Sequence, residues 1–373
     1  MLKKRGPQQT ELEMVSLDSL VPSNHLLRKI EAHIDFSFIH QKVAHLYCAD
    51  NGRPVLDPTV LFKALLVGYL FGIRSVRQLM REIKVNVAYR WFLGLRLTDR
   101  VFDASTFSQN RRRRFVDTAV YQEIFDEIVT QAIAAGLVDG NVLYTDTHVT
   151  VGNVHDSIPY LSRLDEQCQK FGFEPKAIGL DAGYMTAGIC RGLHEREVEA
   201  VIGYRRPTHR KGYFYKRQYE YLPGIDGYKC PGGQILTYST TNRVGYREYK
   251  SDGKQCKTCP FVSQCTGSAN HVKVLTRHVW QDIKDKIDQN RLTPWRKAIY
   301  KRRKEAVESS FADAKQLHGH RYARLRGLKK AKEQCLLAAA AQNIKKIALI
   351  LARLRLIWRH LKLEAAHMCL KMA

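Results

Sequence analysis

The chain has 373 residues, 45% of them hydrophobic, and a formal charge of +25 from 61 Lys and Arg against 36 Asp and Glu. This length and apolar content exclude a disordered chain and leave room for two or three domains. No stretch reaches the roughly 20 uninterrupted apolar residues of a bilayer span, and "MLKKRGPQQTELEM" at the N-terminus has no apolar core of a signal peptide, so a soluble cytoplasmic protein without membrane contact is expected.

Residues 16–135 read as helical. In "LDPTVLFKALLVGYLFGI", Asp57 is a helix N-cap and Pro58 the first helical residue. Leu61, Leu65, Leu66 and Tyr69 follow at helical spacing. "FGIR" at 71–74 breaks that helix, and Ser75 caps the next, "SVRQLMREIKVNVAYRWFLG". Two helices across a short Gly turn suit a helix-turn-helix unit and equally an ordinary bundle. In "STFSQNRRRRF" four arginines, Arg111, Arg112, Arg113 and Arg114, stand in a row. One helix face cannot hold all four, so some must be solvated or meet phosphates.

From residue 141 the pattern changes. "NVLYTD" is a short strand ending in Asp146, and Asp156 reads as the cap of a helix carrying Ile158, Leu161, Leu164 and Cys168. "PKAIGLD" is a second strand ending in Asp181, "AGYMTAGICRGLHERE" a helix, and "VEAVIGY" a third strand. This β-α-β-α-β order predicts a mixed or parallel sheet with helices against it. Residues 208–290, with many Tyr, Gly and Thr, read as β-rich or irregular. "KRRKEAVESSFADAKQLHG" restores a helix with Val307, Phe311 and Ala314 as its apolar stripe, and past residue 328 come one or two long basic amphipathic helices.

Charge is unevenly spread. Residues 1–200 are neutral, 201–290 carry +9, and in 291–373 there are 21 basic residues against 5 acidic ones. A basic half of this size points to a polyanion, DNA or RNA, over a merely soluble basic surface. Nine Cys, an odd number, argue against a disulfide framework. Cys230, Cys256, Cys259 and Cys265 are clustered beside Gly and Pro in "KCPGG" and "CKTCPF". Four thiolates suit structural zinc, the same set suits an iron–sulfur cluster, and the bland reading is four free thiols.

Asp146 and Asp181 end two predicted strands of one sheet, where side chains converge on a crevice. Glu308 sits on the late helix with Lys315 seven residues on, about two turns and so on one face. Two Asp and a Glu are hard ligands for Mg²⁺ or Mn²⁺, and a pair of such ions serves phosphodiester displacement. Lys315 would then hold a phosphate. The plain alternative pairs Glu308 with Lys304, four residues before it, on the surface.

These residues resemble the bacterial insertion-sequence transposases of the DDE type, the group with a Tyr-Arg-Glu-Lys motif around its glutamate and an RNase H-like core. The resemblance covers nearly the whole chain. "LVPSNHLLRKIEAHIDF" and "PVLDPTVLFKALLVGYLFGIRSVRQL" are similar to its helical N-terminal domain, "GLVDGNVLYTD" and "LDAGYMT" to its two Asp strands, and "YKRRKEAVESSFADAK" to its glutamate motif, followed by "RYARLRGL" and "AAQNIKKI". It implies Asp146, Asp181 and Glu308 as ligands of two Mg²⁺ or Mn²⁺ ions, with Tyr300, Arg303 and Lys315 as motif residues. The Tyr and Arg spacing is off by one from the motif's simplest form. It also implies an α/β RNase H-like core at 136–207 and 291–350, after an all-helical DNA-binding domain at 1–135. A β-rich four-Cys insertion at 208–290 interrupts the core, and a basic helix at 351–373 follows it. Duplex DNA at terminal inverted repeats and target would be the partner, a homodimer the working form, and the bacterial cytoplasm the setting. Arg205, Arg206 and Arg210, near Lys211, Lys216 and Arg217 and several Tyr, would contact transposon-end DNA.

One departure concerns "YTDTHVTVGNVHDS". An RNase H-like core needs a three-strand meander between its first Asp and the next helix, yet only nine residues separate Asp146 from Asp156. The segment reads as an internal deletion that makes His148, His155 and Asp156 neighbours by accident, not as a metal site. The rival functions are a DNA-binding remnant without catalysis and an RNA-binding protein with a zinc module.

Overall fold

The computed structural model describes residues 14–48, 56–115, 117–143, 149–204 and 210–372. Its helices, in chain order, are α1 Leu17–Leu20, α2 Leu26–Glu31, α3 Phe38–Val43, α4 Pro58–Leu70, α5 Val76–Val85, α6 Val87–Phe92, α7 Ala104–Asn110, α8 Val120–Ala134, α9 Tyr160–Phe171 and α10 Ala187–Glu195. They continue with α11 Gly253–Lys257, α12 Val262–Cys265, α13 Gln281–Asn290, α14 Pro294–Arg303, α15 Ser309–Gln316 and α16 Leu328–Met372. The strands are β1 Val142–Leu143, β2 Ala177–Leu180, β3 Glu199–Ile202, β4 Glu220–Leu222, β5 Gly227–Lys229, β6 Ile235–Thr241, β7 Tyr246–Lys250 and β8 Val274–His278. The chain divides into two compact units, Met1–Asp139 with Asp146–Val151 and Ala306–Ala373, and Gly140–Thr145 with Gly152–Glu305.

The first unit is all helical. α4 starts as its sequence requires, with Pro58 first and the Asp57 carboxylate accepting the Thr59 N–H at 2.7 Å. It is apolar nearly all round, and α3 and α16 both pack on it, so it is a core helix of a bundle. Its one charge, Lys63, pairs with Glu31 at 2.8 Å and lies over the Phe36 and Phe92 rings. Gly72, at φ +66°, reverses the chain, a left-handed conformation that disfavours side chains, and the Ser75 hydroxyl caps α5. Of the one or two helices expected past residue 328 there is one, α16, whose Leu337, Ala341, Ile344 and Ala348 are buried against α2, α4 and α8. By length and composition part of α16 is apolar enough to cross a membrane, contrary to the reading of interrupted segments. Half of that stretch is buried in the bundle, and it is weak evidence of a span.

The second unit holds two sheets. β1, β2 and β3 are parallel in that order, with Leu143 opposite Ile178 and Leu180 opposite Ile202. All four residues of β2 are buried, the pattern of a central parallel strand covered on both faces. Ile178, Leu180, Ala200 and Ile202 face α9 and α10, while Ala177 and Val201 face Ile299 of α14. The predicted β-α-β-α-β order is therefore present as a sheet between helices. The second sheet is an antiparallel meander, β4 to β8 in sequence order, around Tyr219, Tyr228, Leu236, Tyr249 and Leu275.

Two local expectations are corrected. Asp156 caps no helix: α9 begins at Tyr160 after Pro159, and Ile158 lies outside it, exposed. Pro159 brings a fixed φ and no N–H, so the helix starts from it rather than from Asp156. The stripe Val307, Phe311, Ala314 does not hold either, because Phe311 is exposed. α15 docks on α16 through Ser310, whose carbonyl accepts Gln342 Nε2 at 2.8 Å and whose hydroxyl meets Lys346 Nζ at 2.6 Å.

Candidate active site

Asp181 is the first residue past β2, at the carboxyl end of the central strand of the parallel sheet, where ligands of α/β folds bind. Its Oδ1 accepts the Gly183 N–H at 2.8 Å, capping the short helical turn Ala182–Tyr184. The side chain is half exposed, and its Oδ2 lies 3.9 Å from Nη2 of Arg303. Arg303 is buried, its guanidinium 5.8 Å from the centre of the Tyr300 ring and its Nε without a hydrogen-bond partner. Both residues are on α14, which Ile299 fixes to the sheet.

Gly203, just past β3, completes this corner. A Cβ there would collide with the Tyr300 hydroxyl and lie 3.0 Å from the backbone N of Ala182. Only a residue without a side chain lets the end of β3, the Asp181 turn and Tyr300 meet. The sequence signal for it is a Gly directly after an apolar strand. The structure thus brings together Asp181, Tyr300 and Arg303 of the predicted set.

Glu308 is exposed and closes a π-turn, Lys304–Glu308, between α14 and α15. A π-turn holds one residue more than an α-turn and is common at functional sites. The off-by-one spacing of the motif falls in this turn: Arg303 to Glu308 is five residues, the step that an i→i+5 ring accommodates. Lys315 lies beyond it, exposed, with only regular helix between it and Glu308. The surface pairing of Glu308 with Lys304 is not formed, and Lys304 Nζ lies 5.6 Å from the centre of the Tyr300 ring instead. Asp146 and His148 lie outside the described residues, as do Arg205 and Arg206. His155 is engaged locally, its Nδ1 2.8 Å from the Ser157 hydroxyl.

The four arginines of 111–114 also sit in a π-turn, Arg111–Phe115, and divide their work. Arg111 bonds Glu333 of α16 at 2.8 Å, and Arg114 bonds Asn110 and covers the Tyr47 ring. Arg112 and Arg113 are exposed and remain available to phosphates. Arg210 is exposed and stacks over Tyr213 at 4.5 Å.

Among the Cys quartet, Cys230 and Cys259 both border Gly232, where a Cβ would lie 3.7 and 3.2 Å from their sulfurs. Cys265 instead meets the Tyr219 hydroxyl at 3.2 Å, and Cys256 the Ser251 hydroxyl at 3.3 Å. Burial pushes the Cys265 thiol up, against the pull of its Tyr219 bond, and nearby Cys230 and Cys256 act in the same direction as burial. Among the described residues, no group of three or more His, Cys, Asp or Glu is arranged to hold a metal ion. Cys230, Cys256, Cys259 and Cys265, as they stand, therefore do not form a ligand set for zinc.

Residues 15–113 match the family described as "Transposase domain (DUF772)", and residues 229–348 match the "Transposase DDE domain" family. The first match covers the helices through α7, and the second runs from the Cys quartet through Tyr300, Arg303, Glu308 and Lys315. The chain matches no curated protein and no solved structure. With one transposase family matched before the Asp181 strand in sequence and another after it, the chain belongs to the insertion-sequence DDE transposases.

Proposed function

We propose that this transposase cleaves DNA at the ends of its insertion sequence and joins the freed 3′-hydroxyl to target DNA, using Asp146, Asp181 and Glu308 as the acidic triad of an RNase H-like core. The observation that carries this is Asp181 at the end of the central parallel strand, next to buried Arg303 and Tyr300 on the helix that leads into Glu308.

Two Mg²⁺ or Mn²⁺ ions, when bound, would activate the attacking oxygen and stabilise the leaving one. Asp181 offers a half-exposed carboxylate of hard oxygens for this purpose. Its backbone bond to Gly183 holds one oxygen, and Arg303 restrains the other without closing on it, so the carboxylate is oriented before any ion arrives. Lys315 would bind a phosphate from the face it shares with Glu308. We read the core as a shortened one, because only nine residues lie between Asp146 and Asp156. Two copies would hold the two ends.

The test is cleavage of a labelled duplex carrying the inverted repeat that flanks the gene, with Mg²⁺ or Mn²⁺, beside Asp181→Asn and Glu308→Gln. Cleavage at the end, lost in both variants, is expected. Binding without any cleavage by the unaltered protein would reduce it to a DNA-binding relic.

A further inference from the structure

Within the helical unit, a groove of about 730 Å³ runs between α2 and the second half of α16. Its cations come from both, Arg28 and Lys29 on one wall and Arg355 and Arg359 on the other, with His33 and Trp91 beside them. The acidic residues nearby are engaged elsewhere: Asp18 takes Arg28 at 3.0 Å, Glu31, on the groove's edge, takes Lys63 at 2.8 Å, and Asp35, in the adjoining pocket that shares Arg355, accepts the Ser37 N–H at 2.8 Å and the Ser37 hydroxyl at 2.7 Å. Lys29, Arg355 and Arg359 have no ion-pair partner among the described residues.

Three unmatched cations in one concavity repel each other, and folding gains nothing from collecting them. They are not required for packing either, since Arg355 and Arg359 lie past Ala348, the last fully buried residue of α16. Arg355 and Arg359 are four residues apart, so they stand about 6 Å apart along the helix axis on one face. A linear polyanion fits this better than a flat anionic membrane, because the charges are recessed between two helices rather than spread on a convex face.

We propose that this groove binds the sugar–phosphate backbone of duplex DNA, with Lys29, Arg355 and Arg359 each neutralising a phosphate. The inference rests on the reading of the chain as a transposase that handles duplex ends and gives that reading a defined contact surface. Lys29 lies in the N-terminal transposase domain, whereas Arg355 and Arg359 lie beyond the matched DDE region. The contact therefore needs both ends of the chain.

The experiment is fluorescence anisotropy of a labelled 30-base-pair duplex, without divalent metal, from roughly 50 to 300 mM salt. The full-length protein is compared with Lys29→Ala/Arg355→Gln/Arg359→Gln and with Arg355→Lys/Arg359→Lys. Each phosphate contact adds about 0.9 to the slope of log affinity against log salt, so the triple variant should lose about 2 to 3 from the slope and at least tenfold in affinity at 150 mM salt. The Lys-for-Arg variant should keep both. An unchanged slope in a triple variant with unchanged melting temperature overturns the proposal. So does loss of binding to phosphatidylserine vesicles with no loss of binding to DNA. If the triple variant does not fold, Arg355→Gln alone decides, by losing or keeping about one unit of slope. Binding is read without divalent metal and cleavage with it, so a failure of cleavage leaves the groove standing, and a failure of the groove variants leaves cleavage standing.

Discussion

The Arg303 guanidinium, buried on α14, stands 3.9 Å from the Asp181 carboxylate and has no other ion-pair partner among the described residues. Its Nε is unpaired. Removing one partner of a buried charge is costly, although here Asp181 is half exposed and water shares the load. Asp181→Asn keeps an oxygen for the Gly183 N–H and removes only the charge, so a loss of about 1 kcal/mol is expected. Asp181→Ala also loses the cap and should cost about 1 kcal/mol more. Arg303→Met should hold stability within about 1 kcal/mol, since it removes an under-satisfied buried cation, while end cleavage falls at least tenfold. Urea midpoints and the cleavage assay check all three. An Asp181→Asn protein as stable as the parent would show that the pair contributes nothing.

The π-turn Lys304–Glu308 makes a second prediction. One surplus residue is accommodated there, so deleting Ala306 should leave an ordinary α-helix with Glu308 still on the face of Arg303. That variant should fold and keep cleavage within about tenfold of the parent. Deleting Ala312, inside α15, instead rotates Lys315 by about 100° relative to Glu308. Cleavage should then fall more than a hundredfold. Equal loss in both deletions would mean that the extra residue is needed as it stands.

What was legible in the sequence had a period or a cap. The β2 run "AIGL" and the Asp57-Pro58 start of α4 were placed by chemistry that acts over a few residues. What was missed depends on partners far along the chain. Nothing local says that Arg111 serves Glu333 of α16, 222 residues on, while Arg112 and Arg113 stay exposed. The exposure of Phe311 follows from Ser310 docking on α16, a contact between residues some 32 positions apart. The motif spacing read as an irregularity because a π-turn has no composition of its own.

Gly203→Ala tests the corner around Tyr300. The added methyl would strike the Tyr300 hydroxyl and crowd the Ala182 N at 3.0 Å, so backbone next to Asp181 must shift. Overpacking of this kind costs about 1–3 kcal/mol. The pair Gly203→Ala/Tyr300→Leu should recover most of that stability. A single variant as stable as the parent would show that Tyr300 can swing away freely.

His318 predicts a pH dependence. It is 1% exposed, with Nδ1 3.0 Å from the Tyr69 carbonyl, which it meets by donating its N–H. Burial pulls its pKa below the ordinary 6.5, a pull opposed by the Tyr69 bond and by Asp313 and reinforced by Lys345 and Lys346. The folded state therefore holds fewer protons than the unfolded chain just below pH 6.5, and stability falls as pH drops through that range. Above 6.5 the contribution is complete. His320, whose pKa burial also lowers, acts in the same direction. Urea midpoints between pH 7.5 and 5 should decline less in His318→Gln than in the parent. Parallel curves would assign the acid sensitivity elsewhere.

α16 supplies the last prediction, because its two halves have different work. Ile344 is fully buried between the helices of the bundle. Ile344→Ala should cost about 2–5 kcal/mol through a cavity that close-packed neighbours cannot fill. Past Ala348 the picture reverses: Leu354, Leu356, Ile357, Trp358 and Leu361 are all exposed. A chain ending after Ala352 therefore loses little packing and should unfold within about 1 kcal/mol of the full protein. It loses Arg353, Arg355, Arg359 and Lys362 as well. If the second half of α16 exists to meet DNA, the shortened protein will keep its melting temperature and lose salt-sensitive duplex binding. If it unfolds instead, the exposed leucines and tryptophan serve the bundle after all.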